Sequence, residues 1–203
     1  MPVFDAPFLA LLIVAVAGYL LGSVPFGLVI AKMMRLPDPR TIGSKNIGAT
    51  NVLRTGSKGA ALATVLLDGA KGLVAVLLAR AFAGEDAAQI AALAAFLGHC
   101  FSLFLGFKGG KGVATFLGTL FGLSFVLGAV ACLIWLLTFV IARYSSLSAL
   151  VASAAMPIVA VALGQTERLV VLILMAAVLI WRHRENITRL RSGTEGKVGS
   201  PRS

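Results

Sequence analysis

Apolar residues in this chain fall into long blocks, and short segments between them carry most of the charge. A run of about 18 or more apolar residues can cross the roughly 30 Å hydrocarbon core of a bilayer as a helix. The clearest such runs are residues 8–30, 60–82, 87–105, 147–163 and 169–181, and each is predicted to be a membrane helix. The first is not a cleavable signal, because its leading flank carries Asp5 and its end runs directly into Lys32 and Arg35. A further apolar block, residues 112–142, is 31 residues long. As one helix it would extend about 46 Å at about 1.5 Å per residue, too long for one crossing and short for two.

Composition agrees with the block pattern. Of 203 residues, 59% are hydrophobic and 13% charged, against about 45–50% and about 25% in soluble domains. A soluble globular protein is therefore excluded, and so is a disordered chain, which would be poor in apolar residues. The 22 glycines follow no triplet period, which excludes a collagen-like chain. Cys100 and Cys132 both lie in apolar runs, and without a CxxC pair neither a disulfide framework nor a structural zinc site is indicated.

The net charge of +10 settles how the long block should cross. If it crosses twice, turning near residues 118–124, the chain has seven spans with its amino terminus outside. Lys and Arg residues then stand 15 inside to 2 outside (Arg80 and Arg168), with Lys71 within a span. A single crossing would place the six basic residues from Arg182 to Arg202 outside, against the positive-inside rule. The expected fold is an all-α integral membrane protein of about seven helices, the fourth short or broken, with a cytoplasmic carboxyl terminus. Residues 1–192 would form a single membrane domain and residues 193–203 a flexible cytoplasmic tail.

Three polar constellations fall on the predicted inner face. The first, Gly43-Ser44-Lys45-Asn46-Ile47-Gly48-Ala49-Thr50-Asn51-Val52-Leu53-Arg54, combines glycines, hydroxyl and amide donors, and a guanidinium suited to an anion. It also reads as a polar loop whose Ser and Asn residues cap the next helix. The second, Phe107-Lys108-Gly109-Gly110-Lys111-Gly112-Val113-Ala114-Thr115, has the composition of a phosphate cradle but not the GxxxxGK[ST] spacing of a nucleotide loop. A flexible turn with positive-inside lysines would explain only part of it. The third, Arg182-His183-Arg184-Glu185-Asn186-Ile187-Thr188-Arg189, puts His183 and Asn186 on one helix face at i, i+3. Within the second span Asp68 and Lys71, again at i, i+3, suggest a structural ion pair, with an ion path as the lesser reading. His99 reads as a satisfied helix-end histidine. Ser145 and Ser146 read as caps of a later span or as residues reaching the same site.

These three motifs, in this order between membrane spans, together with Gly22-Ser23-Val24-Pro25-Phe26-Gly27, resemble the bacterial acyl-phosphate:glycerol-3-phosphate acyltransferases over essentially the whole chain. The resemblance implies a multi-pass enzyme of the bacterial inner membrane with its active site at the cytoplasmic face. It would move a fatty acyl group from acyl phosphate to the sn-1 hydroxyl of glycerol 3-phosphate. The products would be lysophosphatidate and inorganic phosphate, at the first step of phospholipid synthesis. Ser44, Lys111, His183 and Asn186 would be catalytic. Asn46, Gly48, Asn51, Arg54, Lys108, Gly109, Gly110, Gly112, Thr115 and Ser146 would bind substrate. No metal or cofactor is implied, because acyl phosphate is already activated. The implied partners are the two substrates, membrane lipid and the upstream acyl-phosphate-forming enzyme, and not nucleic acid. Departures from the family pattern are Lys45 where glycine is common, Ser102 where proline is usual, and Thr188 where lysine is common.

Two bases remain open for the acyl transfer, His183 and the substrate's own phosphate. The HxxxxD pair of soluble-type glycerophosphate acyltransferases is absent, since Phe104 and Thr188 stand five residues after His99 and His183. An organic-anion transporter using Asp68 and Lys71 would need polar residues in several spans, and the other spans are nearly free of charge. A phosphatidyltransferase would need clustered aspartates, whereas Asp5, Asp38, Asp68 and Asp86 are scattered.

Overall fold

The computed structural model describes residues 6–199, so Asp5 and Arg202 lie outside the described residues. Every regular element among the described residues is helical. In chain order they are α1 (Phe8–Ser23), α2 (Phe26–Met33), α3 (Ala49–Val52), α4 (Lys58–Cys100), α5 (Val113–Leu123), α6 (Phe125–Ala142), α7 (Ser145–Ala162), α8 (Leu169–Arg182) and α9 (Arg184–Arg191). The chain divides into two compact units, an amino-terminal one ending at Phe125 and a carboxy-terminal one beginning at Val126.

Four helical stretches are long and apolar enough to cross a membrane: Phe8–Met33, Lys58–Leu105, Phe125–Ala142 and Ser145–Ala162. The second contains two of the expected spans. Helix α4 breaks at Ala83 and at Gly84, whose φ of +80° favours glycine. The expected first span is not continuous. Helix α1 stops at Ser23, and α2 starts only after Pro25, which has no N–H with which to continue the helix.

The long block divides at Ser124, the last residue of the turn expected near residues 118–124. Helix α5 has 11 residues and α8 has 14, which at about 1.5 Å each gives about 16 and 21 Å. Arg80 closes the carboxyl end of α5, donating to Gly122 O (2.5 Å) and Leu123 O (3.1 Å) while also binding the Glu85 carboxylate (2.8 Å). The last carbonyls of a helix have no partner within it, so this guanidinium supplies one.

Inside the amino-terminal unit the helices meet through small residues. A Cβ on Gly22 would lie 2.1 Å from Ala95 O, one on Gly98 2.2 Å from Tyr19 O, and one on Gly118 2.0 Å from Gly69 O. These approaches bring α1 against the second arm of α4, and α5 against its first arm. Large apolar side chains point the other way: Phe8 is 79% exposed, and Leu66, Leu78 and Phe104 also lie on the surface. That arrangement suits lipid, where close backbone packing rather than burial of leucine joins helices. In the carboxy-terminal unit α7 packs on α8, and Met156 of α7 and Leu172, Met175 and Leu179 of α8 are fully buried.

Gly22→Ala and Gly118→Ala should each cost about 1–3 kcal/mol or more from backbone overpacking. Gly59→Ala, in the first turn of α4 where an added Cβ meets nothing within 4 Å, should leave stability unchanged or raise it by up to about 1 kcal/mol. Thermal midpoints of the purified variants in detergent check this; equal midpoints for all three would refute the packing argument.

Candidate active site

The first loop is organised around one amide. Asn51, 2% exposed, donates from Nδ2 to Pro39 O (2.5 Å), Asn46 O (2.7 Å) and Ile42 O (3.2 Å). Its Oδ1 accepts from Ser44 N (3.0 Å) and from an Arg54 Nη (3.1 Å). Residues 39–54 therefore close into a ring whose hub is a neutral side chain. Ser44 and Arg54 are exposed, and both reach the same Asn51 oxygen. Gly43 is required there, since its φ is +53° and a Cβ would lie 2.5 Å from that oxygen. Asn46 Oδ1 accepts from Gly48 N (2.9 Å), forming the turn that begins α3.

Asp38 steadies the far side of the ring. Its carboxylate accepts from Arg40 N (2.8 Å) and from the Arg40 guanidinium (2.6 Å), which hold its pKa below the usual carboxylate value. None of the loop's Ser or Asn residues caps α4; Ser57 does, accepting from Ala60 N (3.1 Å). Asn51 was expected among the substrate ligands, and its side chain is fully engaged in holding the loop.

The second loop is packed onto the end of α4. Gly110 N donates to His99 O (2.9 Å). Added Cβ atoms would lie 2.1 Å from His99 O at Gly109, 2.1 Å from His99 Nε2 at Gly110, and 2.3 Å from the Phe96 ring at Gly112. All three glycines thus have a packing reason. Thr115, fully buried, donates to Asp68 O (2.9 Å). Lys108 is exposed and Lys111 half-buried, so the loop presents its charges while its backbone is fixed from behind.

In the carboxy-terminal unit the expected residues gather on an acid that the sequence reading did not single out. Glu195 Oε1 accepts from Ser146 Oγ (2.6 Å) and from Asn186 Nδ2 (2.6 Å), and Oε2 from Arg189 Nε (2.7 Å). Its place as the one carboxylate among Arg189, Arg191 and Lys197 was the only signal available in sequence. Nearby, Val198 N donates to Arg143 O (3.0 Å), and Lys197 lies over the Tyr144 ring. His183, 2% exposed, stands at the joint where α8 ends and α9 begins, its Nδ1 donating to Leu179 O (2.8 Å). A carbonyl only accepts, so the neutral ring keeps its proton on Nδ1 and its lone pair on Nε2.

Among the described residues no group of three or more His, Cys, Asp or Glu could hold a metal ion. The chemistry on view is that of hydroxyls, amides and cations able to bind anions and stabilise developing negative charge.

A family model described as glycerol-3-phosphate acyltransferase matches residues 12–193. A glycerol-3-phosphate acyltransferase from Ruegeria pomeroyi is 57% identical over 199 residues, 98% of each chain. Crystal structures of an integral membrane glycerol 3-phosphate acyltransferase, PlsY, superpose closely. Its glycerol 3-phosphate form gives a TM-score of 0.88 at 40% identity, covering 93% of this chain and 96% of that one. Its lysophosphatidic acid form gives 0.86 at 39%, covering 92% and 94%.

Two outcomes follow from the loop geometry. Lys45 holds φ +55°, a left-handed conformation costing an L-residue about 1–2 kcal/mol. Lys45→Gly should therefore raise the thermal midpoint, and a lowered midpoint would show that its side chain holds the loop. For Glu195, burial alone would raise the carboxyl, but the Ser146, Asn186 and Arg189 hydrogen bonds outweigh it and hold the pKa below the ordinary value. Stability from this group is therefore complete above the unfolded value of about 4.3 and lost as pH falls through the lower folded value. Glu195→Gln should flatten that acid limb in a denaturation series against pH; an unchanged limb would exclude Glu195 as its source.

Proposed function

The chain belongs to the glycerol-3-phosphate acyltransferase family, and from that premise we propose that its acyl donor is acyl phosphate and its acceptor the sn-1 hydroxyl of glycerol 3-phosphate. Acylation of glycerol 3-phosphate is the family's activity, and the chain is an integral membrane protein like its solved relative.

In that reaction the hydroxyl oxygen attacks the acyl carbonyl and forms the new ester C–O bond. The bond to the phosphate oxygen breaks, inorganic phosphate leaves, and the hydroxyl proton passes to a base. Acyl phosphate is activated at the outset, so the protein must chiefly bind, orient and stabilise the oxyanion. Ser44, Asn46 and Lys111 donate to the oxyanion, and Arg54 pairs with a phosphate. Lys108, Lys111 and the amides of Gly109 and Gly112 hold the phosphate of glycerol 3-phosphate, with Gly110, bonded to His99 O, and Thr115, bonded to Asp68 O, fixing the loop between them. Gly48 and Asn51 shape the first loop.

His183 Nε2 accepts the proton, an assignment supported by the Nδ1 bond to Leu179 O that leaves Nε2 basic. Asn186 and Ser146, anchored on Glu195, set the joint at which His183 stands. The observation that carries the whole reading is the Asn51 ring. It spends an amide on orienting a hydroxyl-bearing residue and a guanidinium together, which an inert connecting loop does not need.

Residues 1–192 act as one functional domain on this reading, supported by a family match running unbroken over residues 12–193. We place the enzyme in the bacterial inner membrane with seven spans, amino terminus outside and active face cytoplasmic, a placement supported by the distribution of Lys and Arg. The upstream enzyme that makes acyl phosphate is its proposed partner.

Purified protein in detergent should release inorganic phosphate only with acyl phosphate and glycerol 3-phosphate together. Equal turnover with acyl-CoA, or none with acyl phosphate, would overturn the donor assignment. Arg54→Ala should raise a substrate KM about tenfold or more, as loss of a charge-assisted bond worth about 1.5–3 kcal/mol implies. His183→Asn should lower kcat by about 100-fold or more; near-normal kcat would transfer the base role to the substrate phosphate.

A further inference from the structure

Asp68, Lys71 and His99 form a buried polar cluster that the chemistry above leaves unused. Lys71 Nζ lies 2.7 Å from Asp68 Oδ1, 2.9 Å from His99 Nδ1, and donates to Val24 O at 2.8 Å. Val24 O and His99 Nδ1 take two of the ammonium's N–H bonds, and the Asp68 carboxylate pairs its charge. Each of the three residues is 4% exposed or less.

Such a cluster is a poor way to hold helices together. Removing ions from water costs several kcal/mol each, and packed apolar residues of similar volume often replace a buried pair without loss of stability. What apolar residues cannot do is fix an imidazole. His99 Nδ1 lies 2.9 Å from Lys71 Nζ and 3.5 Å from Asp68 Oδ1; the nearer group, an ammonium, can only donate, so Nδ1 accepts from it and the neutral ring carries its proton on Nε2.

That nitrogen faces the glycine and lysine loop. Gly110 Cα packs so closely on the ring that a Cβ would lie 2.1 Å from Nε2, and Gly110 N donates to His99 O (2.9 Å). At the loop's exit Thr115 donates to the main chain of Asp68, the residue that pairs Lys71. The carboxyl end of α4 is itself fixed to α1, through Tyr19 Oη to Phe101 O (2.5 Å) and Ser102 Oγ to Ser23 O (2.6 Å).

We propose that His99 is a positioning residue for glycerol 3-phosphate. Asp68 and Lys71 hold its ring as the Nε2–H tautomer, and the ring sets the position of the backbone from Gly109 to Lys111. The proposal rests on the reading of that loop as the phosphate holder. It adds a device inside an apolar helix by which a charge pair, without touching substrate, fixes where the phosphate-binding amides stand.

The chain has two histidines, so a 15N-histidine NMR spectrum of the intact protein in detergent resolves both rings. His183 should show the proton on Nδ1 and His99 on Nε2, with Lys71→Met mixing the His99 tautomers and leaving His183 alone. A wild-type His99 protonated on Nδ1 overturns the proposal, and this measurement needs no variant to fold. In kinetics, His99→Gln should raise the KM for glycerol 3-phosphate about tenfold or more, with a smaller change in kcat, as expected when a binding group is displaced by about 1 Å. If Lys108→Ala raises that KM and His99→Gln does not, His99 is not a positioning residue. If neither raises it, the phosphate reading of the loop falls, and the proposal with it.

Discussion

In lipid, helices gain little by hiding leucine from their surroundings, so what joins them must be close contact and satisfied polar groups. The amino-terminal unit is built on the first of these. Gly22 against Ala95 and Gly118 against Gly69 bring backbones so near that a single added methyl would overlap a carbonyl oxygen. Once helices stand that close, their ends must be completed by side chains from neighbours. Arg80 from α4 takes the last carbonyls of α5, and Ser102 takes Ser23 O at the end of α1. Lys71 takes Val24 O, which also accepts from Phe26 N in the turn where Pro25 interrupts the helix. The contacts at glycine come first in this order of causes, because none of the capping distances could be met by helices held further apart.

The excess of positive charge has several uses. Arg54 is oriented by an amide, Lys71 by a carboxylate and an imidazole, Arg80 by helix carbonyls and Glu85, and Arg189 by Glu195. Lys45 and Lys108 are exposed on the two glycine-bearing loops.

Much of the fold was legible because membrane insertion leaves a coarse signature. Blocks of apolar residues located every main helix, and the break in the long block fell at Ser124, the edge of the expected turn. The interruption at Pro25 was missed because hydropathy runs smoothly through Val24 and Phe26, and only the missing N–H of proline stops the helix. The site was legible as residue types and much less as roles. Asn51 sits in the first motif like Asn46, yet one is the hub of the loop and the other opens α3. The glycines of the second loop suggested room for a phosphate, and they also prove to be where the chain passes over His99 and Phe96. Glu195 carried only the weak signal of one carboxylate among cations, because its partners, Ser146 and Asn186, come from elements separated by a long stretch of sequence.

The two loops of the amino-terminal unit are held from behind by different means, and the difference follows from where each holder sits. Asn51 lies in a polar loop, where a neutral amide with carbonyl and N–H partners on every side suffices. His99 lies at the end of an apolar helix, where an imidazole left to itself could turn or change tautomer at little cost. There a fixed orientation needs a donor that cannot become an acceptor, and an ammonium is such a group. That ammonium in turn requires a carboxylate beside it to be tolerated among apolar residues, which gives Asp68 its place one turn earlier on α4. The buried charge pair is thus a consequence of needing one oriented ring in a medium without water. An enzyme whose substrate is already activated depends above all on such orientation, because its remaining task is to present fixed dipoles to charge that forms and disappears.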